Sequence, residues 1–179
     1  MQAPTRIETA RLVLRKPTLA DAEAVFSRYA SDPEVTRYLG WPRHRSVSDT
    51  KSFLAFSDAE WDRWPAGPYL IESRADGCLL GSTGLAFETP SNAATGYVLA
   101  RDVWGLGYAT ESLGAVVGVA RELGVRHLHA LCHPRHAASH RVLEKCGFVR
   151  ESTLPQPVEF PNLGSGSPEG CLRYARVLD

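Results

Sequence analysis

The octapeptide Trp104-Gly105-Leu106-Gly107-Tyr108-Ala109-Thr110-Glu111 has the residue types of an anion-binding turn. Its two glycines let a ligand come close to the backbone. The periodic segment after them supplies a helix start, whose first N–H groups have no partner within the helix. A pyrophosphate is the expected ligand. Two common phosphate patterns do not fit. No lysine stands near the turn, as a Gly-Lys-Ser/Thr loop requires. Thr110 takes the place of the third small residue of the dinucleotide fingerprint, and His129 and Ala130 stand where that motif needs an acid. A glycine-rich left-handed turn without any ligand stays open on this octapeptide alone.

Other chemistry-bearing residues are scattered. Ser139 falls in the first turn of a later helix, where its hydroxyl could cap the helix or reach a ligand lying between two helix starts. Glu159 sits between apolar residues in a proline-bounded loop. If partly buried it would have a raised pKa suited to a base; if wet it is an ordinary loop acid. Glu88, at a strand end, is the rival acid. His136 and His140 are four residues apart, and His127 and His129 share a strand face. Without a nearby carboxylate or an HExxH pattern they make no metal set, and no metal is expected. Arg126, Arg135, His136, Arg141 and Lys145 form a basic group that could meet phosphates or simply face solvent. The cysteines at 78, 132, 146 and 171 have no Cys-x-x-Cys spacing and read as reduced, mostly buried thiols.

These residues must be positioned by a succession of short elements. Arg11–Arg15 reads as a strand. Thr18 and Asp21 resemble a capping arrangement for a helix through Ala30, which Asp32-Pro33 ends. Ser46 or Ser48 can cap a second helix through Arg63. Tyr69–Ser73 and Cys78–Phe87 form a hairpin about Ala75-Asp76-Gly77, and Ala93–Ala100 is the strand that leads into the turn. Glycines 81, 84 and 96 within strands suggest bulges or close approach. A bulge at Gly96 would splay its strand from a neighbour and open a slot for an extended ligand. The main helix buries Leu113, Val116, Val117, Ala120 and Leu123 and stops at Gly124, with Glu111 in its first turn beside the positive end of the dipole. A strand (Val125–Cys132), a helix (Ala137–Lys145) and two strands (Phe148–Leu154, Cys171–Leu178) complete an α+β order with a mixed sheet. Residues 155–168 read as a long loop.

Trp104-Gly-Leu-Gly-Tyr-Ala-Thr-Glu-Ser112, with Gly96-Tyr97 upstream and Ser139–Phe148 downstream, resembles the GNAT superfamily of acyl-CoA-dependent N-acetyltransferases. More narrowly, the chain is similar to the branch that includes the ribosomal-protein N-terminal acetyltransferases, over Glu8 to Val177. The resemblance implies a single-domain α+β fold spanning residues 1–179, with a mixed, mostly antiparallel sheet flanked by helices and a splayed strand pair for coenzyme A. It implies acetyl-CoA as cosubstrate, held at Trp104, Gly105, Leu106, Gly107, Tyr108, Ala109 and Thr110. It also implies an acceptor side near Val35–Pro42. His136 stands where the family has asparagine, which puts the usual contact to the pantetheine arm in question. A family glutamate just before the Gly-Tyr pair is replaced by Ala94-Thr95.

Acyl transfer to an amine needs a site for the amine proton, donors for the carbonyl oxygen and a proton for the departing thiolate. An N-terminal amine costs about 1 kcal/mol to deprotonate at pH 7, against about 4–5 for lysine, so a weak base or relayed water serves the former. A backbone N–H near Val98 or Leu99 is the expected oxyanion donor. The family places Ser139 near the sulfur and Glu159 as the base.

Net charge is zero, from 20 basic and 20 acidic side chains in 179 residues. That excludes bulk binding to nucleic acid or anionic membrane as the main activity. The N-terminus lacks an apolar signal core, no run could span a bilayer, and a cytoplasmic protein is expected. The leading expectation is direct acetyl transfer to a primary amine: a protein N-terminus, or a small amine such as an antibiotic or polyamine. A non-catalytic acyl-CoA-binding module and a nucleotide-binding protein are the alternatives, and a homodimer is left open.

Overall fold

Turn chemistry and side-chain period set most element boundaries in the computed structural model, which describes residues 1–154, 159–164 and 170–179. Strands β1 (Arg6–Glu8) and β2 (Leu12–Arg15) form an antiparallel pair. β1 has no signal in the sequence, because three residues are too short to show alternation. Asp21 accepts from the Thr18 amide at 2.8 Å and opens a continuous helical run. The run passes from a 3-10 turn (Leu19–Asp21) through α1 (Ala22–Val25) into a π turn (Phe26–Ala30). Asp32-Pro33 ends that run as expected and also begins α2 (Pro33–Thr36), since the Asp32 carboxylate accepts from the Glu34 and Val35 amides. A capping box between Ser46 and Asp49 starts α3 (Val47–Arg63).

Strands β3 (Pro68–Ser73), β4 (Leu79–Thr89) and β5 (Asn92–Leu99) follow as a meander, then α4 (Tyr108–Glu122), β6 (His127–Cys132), α5 (Ala137–Lys145), β7 (Val149–Leu154) and β8 (Cys171–Val177). One eight-stranded sheet runs in the order β1-β2-β3-β4-β5-β6-β8-β7. Every neighbouring pair is antiparallel except β5 and β6. The mixed, mostly antiparallel α+β sheet is the expected architecture. No helix among the described residues is long and apolar enough to cross a membrane.

The parallel pair makes the slot. β5 and β6 are partnered only at Asn92–His127, Ala93–Leu128 and Ala94–His129, and beyond Ala94 the two strands part. The splay is therefore present, but not for the reason expected. Gly96 lies opposite Gly84 in an unbroken stretch of the β4–β5 register, without a bulge, and a Cβ at Gly96 would meet nothing within 4 Å. The other two strand glycines do mark close approach. A Cβ at Gly81 would collide with the Val98 carbonyl, and one at Gly84 would lie 2.6 Å from Pro68 Cα.

α4 lies on one face of the sheet with Leu113, Val116, Val117 and Ala120 buried against Leu12, Leu14, Ile71, Leu85 and Leu128. Leu123, expected on that stripe, is only partly buried at the helix end. A second cluster, including Val25, Tyr29, Leu70, Val98 and Ala100, joins the first helical run to the middle of the sheet. Packing on both sides fixes β5 along the length of the slot.

Candidate active site

The turn before α4 has the geometry its glycines suggest. Gly105 and Gly107 have φ of 77° and 83°, a left-handed conformation that costs an L-residue about 1–2 kcal/mol. Space is not the constraint: a Cβ at Gly105 would meet nothing within 4 Å, and one at Gly107 only the tip of Arg11 at 3.4 Å. Gly107 is also the N-cap of α4. A glycine there has no side chain to satisfy the first-turn amides, which stay available to an anion.

Arg11 holds this turn from behind. Its Nη1 donates to the Leu106 carbonyl at 2.9 Å and its Nε to Glu111 Oε2 at 2.7 Å, while the guanidinium sits 4.5 Å from the centre of the Tyr108 ring. Glu111 also accepts from the Thr9 hydroxyl at 2.6 Å and the Arg11 amide at 2.8 Å. Partial burial opposes its charge, but these donors prevail and keep the carboxyl below its ordinary pKa. Glu111 thus does more than favour the helix dipole: it ties α4 to the β1–β2 turn. The indole N–H of Trp104 donates to the Leu99 carbonyl at 2.8 Å, fixing the turn to the end of β5.

The slot opens into a cavity of about 510 Å³ lined by β4, β5, β6, α5 and the loop after α2. Ser139, in the first turn of α5, lies within it. Its Oγ is 2.8 Å from the Tyr97 hydroxyl, which also donates to the Ser139 carbonyl at 3.2 Å. Ser139 therefore bonds across the slot instead of capping its helix. Burial pushes the Tyr97 hydroxyl well above its usual pKa, so it keeps its proton. Burial likewise pushes the Cys132 thiol up to about 11, leaving it a poor nucleophile at neutral pH. His136, also lining the cavity, is brought down to about 4, by burial first and then by His140 and His133, and is neutral at pH 7.

Val98 and Leu99 divide their roles. The Ala100 amide donates to Leu80 on β4 at 2.7 Å. Alternation along the antiparallel ladder then turns the Val98 amide toward β4 as well, and those of Tyr97 and Leu99 toward the open side. Val98 lines the cavity with its side chain.

The remaining candidates separate. Glu159 is exposed and does not line the cavity, so the partial burial considered for it is not met; its neighbour Phe160 does line the cavity. Glu88 pairs with His129 at 3.4 Å and borders a separate cavity of about 140 Å³. Arg126 follows the far end of α4, about 20 Å from the turn at 1.5 Å per residue, and cannot share its anion. Arg135, Arg141 and Lys145 are exposed before or on α5. No group of three or more potential metal-ligating side chains occurs among the described residues. Arg11 and Cys132 carry no functional signal in the sequence alone, and Tyr97 enters there only as part of the Gly-Tyr pair. Their partners are distant in the chain, and no local pattern announces such pairs.

The sequence profile of the Acetyltransferase (GNAT) domain matches residues 11–149. The chain belongs to the GNAT acetyltransferase family. This acetyltransferase is 33% identical over 153 residues to YoaA of Bacillus subtilis strain 168, described as an uncharacterized N-acetyltransferase, with 84% of this chain and 86% of YoaA covered. Its fold is shared with RimL, a ribosomal L7/L12 alpha-N-protein acetyltransferase solved in a disulfide-linked complex with coenzyme A. The TM-score there is 0.81 at 22% identity, covering 99% of this chain and 98% of RimL. The self-immunity acetyltransferase MccE for microcin C7, solved with acetyl-CoA and AMP, gives a TM-score of 0.79 at 19% identity over 98% and 97% of the two chains. The enzyme uses acetyl-CoA, and the open glycine turn, the uncapped start of α4 and the splayed β5–β6 slot fit that cosubstrate.

Proposed function

We propose that the enzyme transfers the acetyl group directly to a primary amine, on a protein N-terminus or a small molecule, with no acyl-enzyme intermediate. The observation that carries this is the Ser139–Tyr97 hydroxyl pair, 2.8 Å apart, at the slot between the parted strands. Bound acetyl-CoA supplies an activated acyl carbon. The amides of Tyr108, Ala109 and Thr110, with the backbone of Trp104 to Gly107, hold its diphosphate. The Leu99 amide, facing the slot, stabilises the carbonyl oxygen as it becomes negative. The new C–N bond forms as the C–S bond breaks; the Ser139 hydroxyl, held by Tyr97, delivers a proton to the leaving sulfur and is reprotonated from solvent, which balances the proton the amine gives up. Water carries the amine proton outward to Glu159 beside the Phe160 wall. His136 borders the cavity as a neutral hydrogen-bonding group in place of asparagine. The high pKa of Cys132 supports direct transfer over a cysteine-bound acyl group.

Thiol release from acetyl-CoA with a panel of amines tests the proposal. Ser139→Ala is expected to lower kcat by about 100-fold with little change in acetyl-CoA affinity, as for loss of a general acid. Glu159→Gln should lower turnover at neutral pH, and unchanged rates would remove it from the mechanism. Thiol release that no amine accelerates would overturn the transfer itself.

A further inference from the structure

We infer that the acceptor is a weakly basic α-amine next to an apolar or aromatic group, as in a peptide or amino-acid amide whose first residue is apolar, and not a polycation. The inference rests on the transfer reading above. No Asp, Glu, Lys or Arg is among the described residues that line the cavity. Its walls include the rings of Tyr38, Trp41, Phe53 and Phe160. Three of these rings, Tyr38, Trp41 and Phe160, sit on segments that one side chain joins. Asn162 Nδ2 donates to the Thr36 carbonyl at 2.8 Å and the Trp41 carbonyl at 2.9 Å, and its Oδ1 accepts from the Arg43 amide at 2.8 Å. The turn that carries Phe160 is thereby fastened to the loop that carries Tyr38 and Trp41.

An ammonium group entering this cavity meets no carboxylate among the described residues that line it. A polyamine or aminosugar would bring several, each losing water without gaining a counter-charge. Aromatic faces can hold cations, but the Arg37 guanidinium already lies 5.4 Å from the Tyr38 ring centre and opposes a second positive charge. A free carboxylate fares no better, as no Lys or Arg is among the described residues of the walls; this favours an amide or peptide over a free amino acid. The same lack of acids decides which amine can react. At pH 7 an α-amine is about 10% free base, whereas a lysine-type amine is about 0.04%. A cavity without a strong base turns that ratio of about 250-fold into selectivity. The apolar walls then bind the group beside the amine.

The test measures kcat/KM with acetyl-CoA for five acceptors: phenylalanine amide, a C-terminally amidated tripeptide beginning with phenylalanine, the same tripeptide beginning with glutamate, Nα-acetyl-lysine amide and spermidine. The expected result is a preference of about 100-fold or more for the two phenylalanine compounds over Nα-acetyl-lysine amide and spermidine. The glutamate-first peptide should fall at least 10-fold below its phenylalanine counterpart. A tripeptide that exceeds phenylalanine amide by 10-fold assigns the acceptor to polypeptide N-termini, and the reverse assigns it to a small amide. Trp41→Ala and Asn162→Ala should each raise KM for phenylalanine amide about 10-fold with acetyl-CoA KM unchanged. Spermidine or Nα-acetyl-lysine amide turning over as well as the phenylalanine compounds would overturn the acceptor class and leave acetyl transfer standing. Silence of every amine would sink the transfer reading itself.

Discussion

Among single side chains, Arg11 ties the glycine turn to the start of α4. A surface ion pair is ordinarily worth 0–1 kcal/mol. Arg11 instead joins three groups at once: the Leu106 carbonyl, the Glu111 carboxylate and the Tyr108 ring, all about a hundred residues away in the chain. The first belongs to the glycine turn and the other two to the opening turn of α4, so losing Arg11 unties the turn from the helix start, the two parts proposed to hold the diphosphate. Arg11→Ala should raise the acetyl-CoA Kd about 5–10-fold, or about 1–1.4 kcal/mol, while leaving the fold intact. Calorimetric titration checks it, and an unaltered Kd would show that the glycines alone fix the turn. The Glu111 partner sets a pH limit. Its folded pKa lies below the ordinary carboxylate value, so its support is fully present above about 4.5 and is lost as pH falls through the lower folded value. None of this was legible in the sequence, where Arg11 is only the residue that opens a strand. The glycine turn itself was legible, because its residue types are local and adjacent.

Among elements, the start of α4 and the β4–β5 ladder depend on glycine for different reasons. Gly107 is required by its φ of 83°, and a Cβ placed there would come near only Arg11, at 3.4 Å. Gly107→Val should therefore strain the N-cap and crowd the approach of the diphosphate, weakening acetyl-CoA binding at least 10-fold while circular dichroism keeps its helical signal. Full affinity in that variant would contradict the anion role. Gly81, in contrast, is required by the Val98 carbonyl on the neighbouring strand, so Gly81→Ala should lower Tm by several degrees through the β4–β5 pairing. A sequence shows that a strand contains glycine but not which neighbour crowds it. That is why Gly96 suggests a bulge that the strand lacks, while the splay lies on the opposite edge of β5, where pairing with β6 ends at Ala94–His129. Helix α5 was readable to the residue, since Gly147 follows a short periodic run; β1 was not, since three residues hold no period.

For the molecule as a whole, the cavity at the parted strands, proposed above to receive the substrates, is also where its stability becomes sensitive to acid. His136 is half-buried between Tyr38, at 4.9 Å between ring centres, and the start of α5, with His133 and His140 as further imidazoles around it. No carboxylate lines that cavity among the described residues, so none of them compensates a proton on the ring. Its folded pKa, about 4, is below the unfolded value of about 6.5. Between those two pH values the unfolded chain binds the proton and the folded chain does not. Stability is then unaffected by this group above pH 6.5 and declines as pH falls toward 4, by an amount on the order of 2 kcal/mol. His136→Asn removes the titration while keeping a hydrogen-bonding side chain of similar reach. Urea unfolding of both proteins from pH 7.5 to pH 4.5 should show the wild type losing stability more steeply, with the two curves parallel near neutral pH and converging or crossing at the acid end. Parallel curves over the whole range would mean that the imidazole is already solvated well enough to titrate normally, and that the acceptor end of the cavity is wetter than its aromatic walls imply.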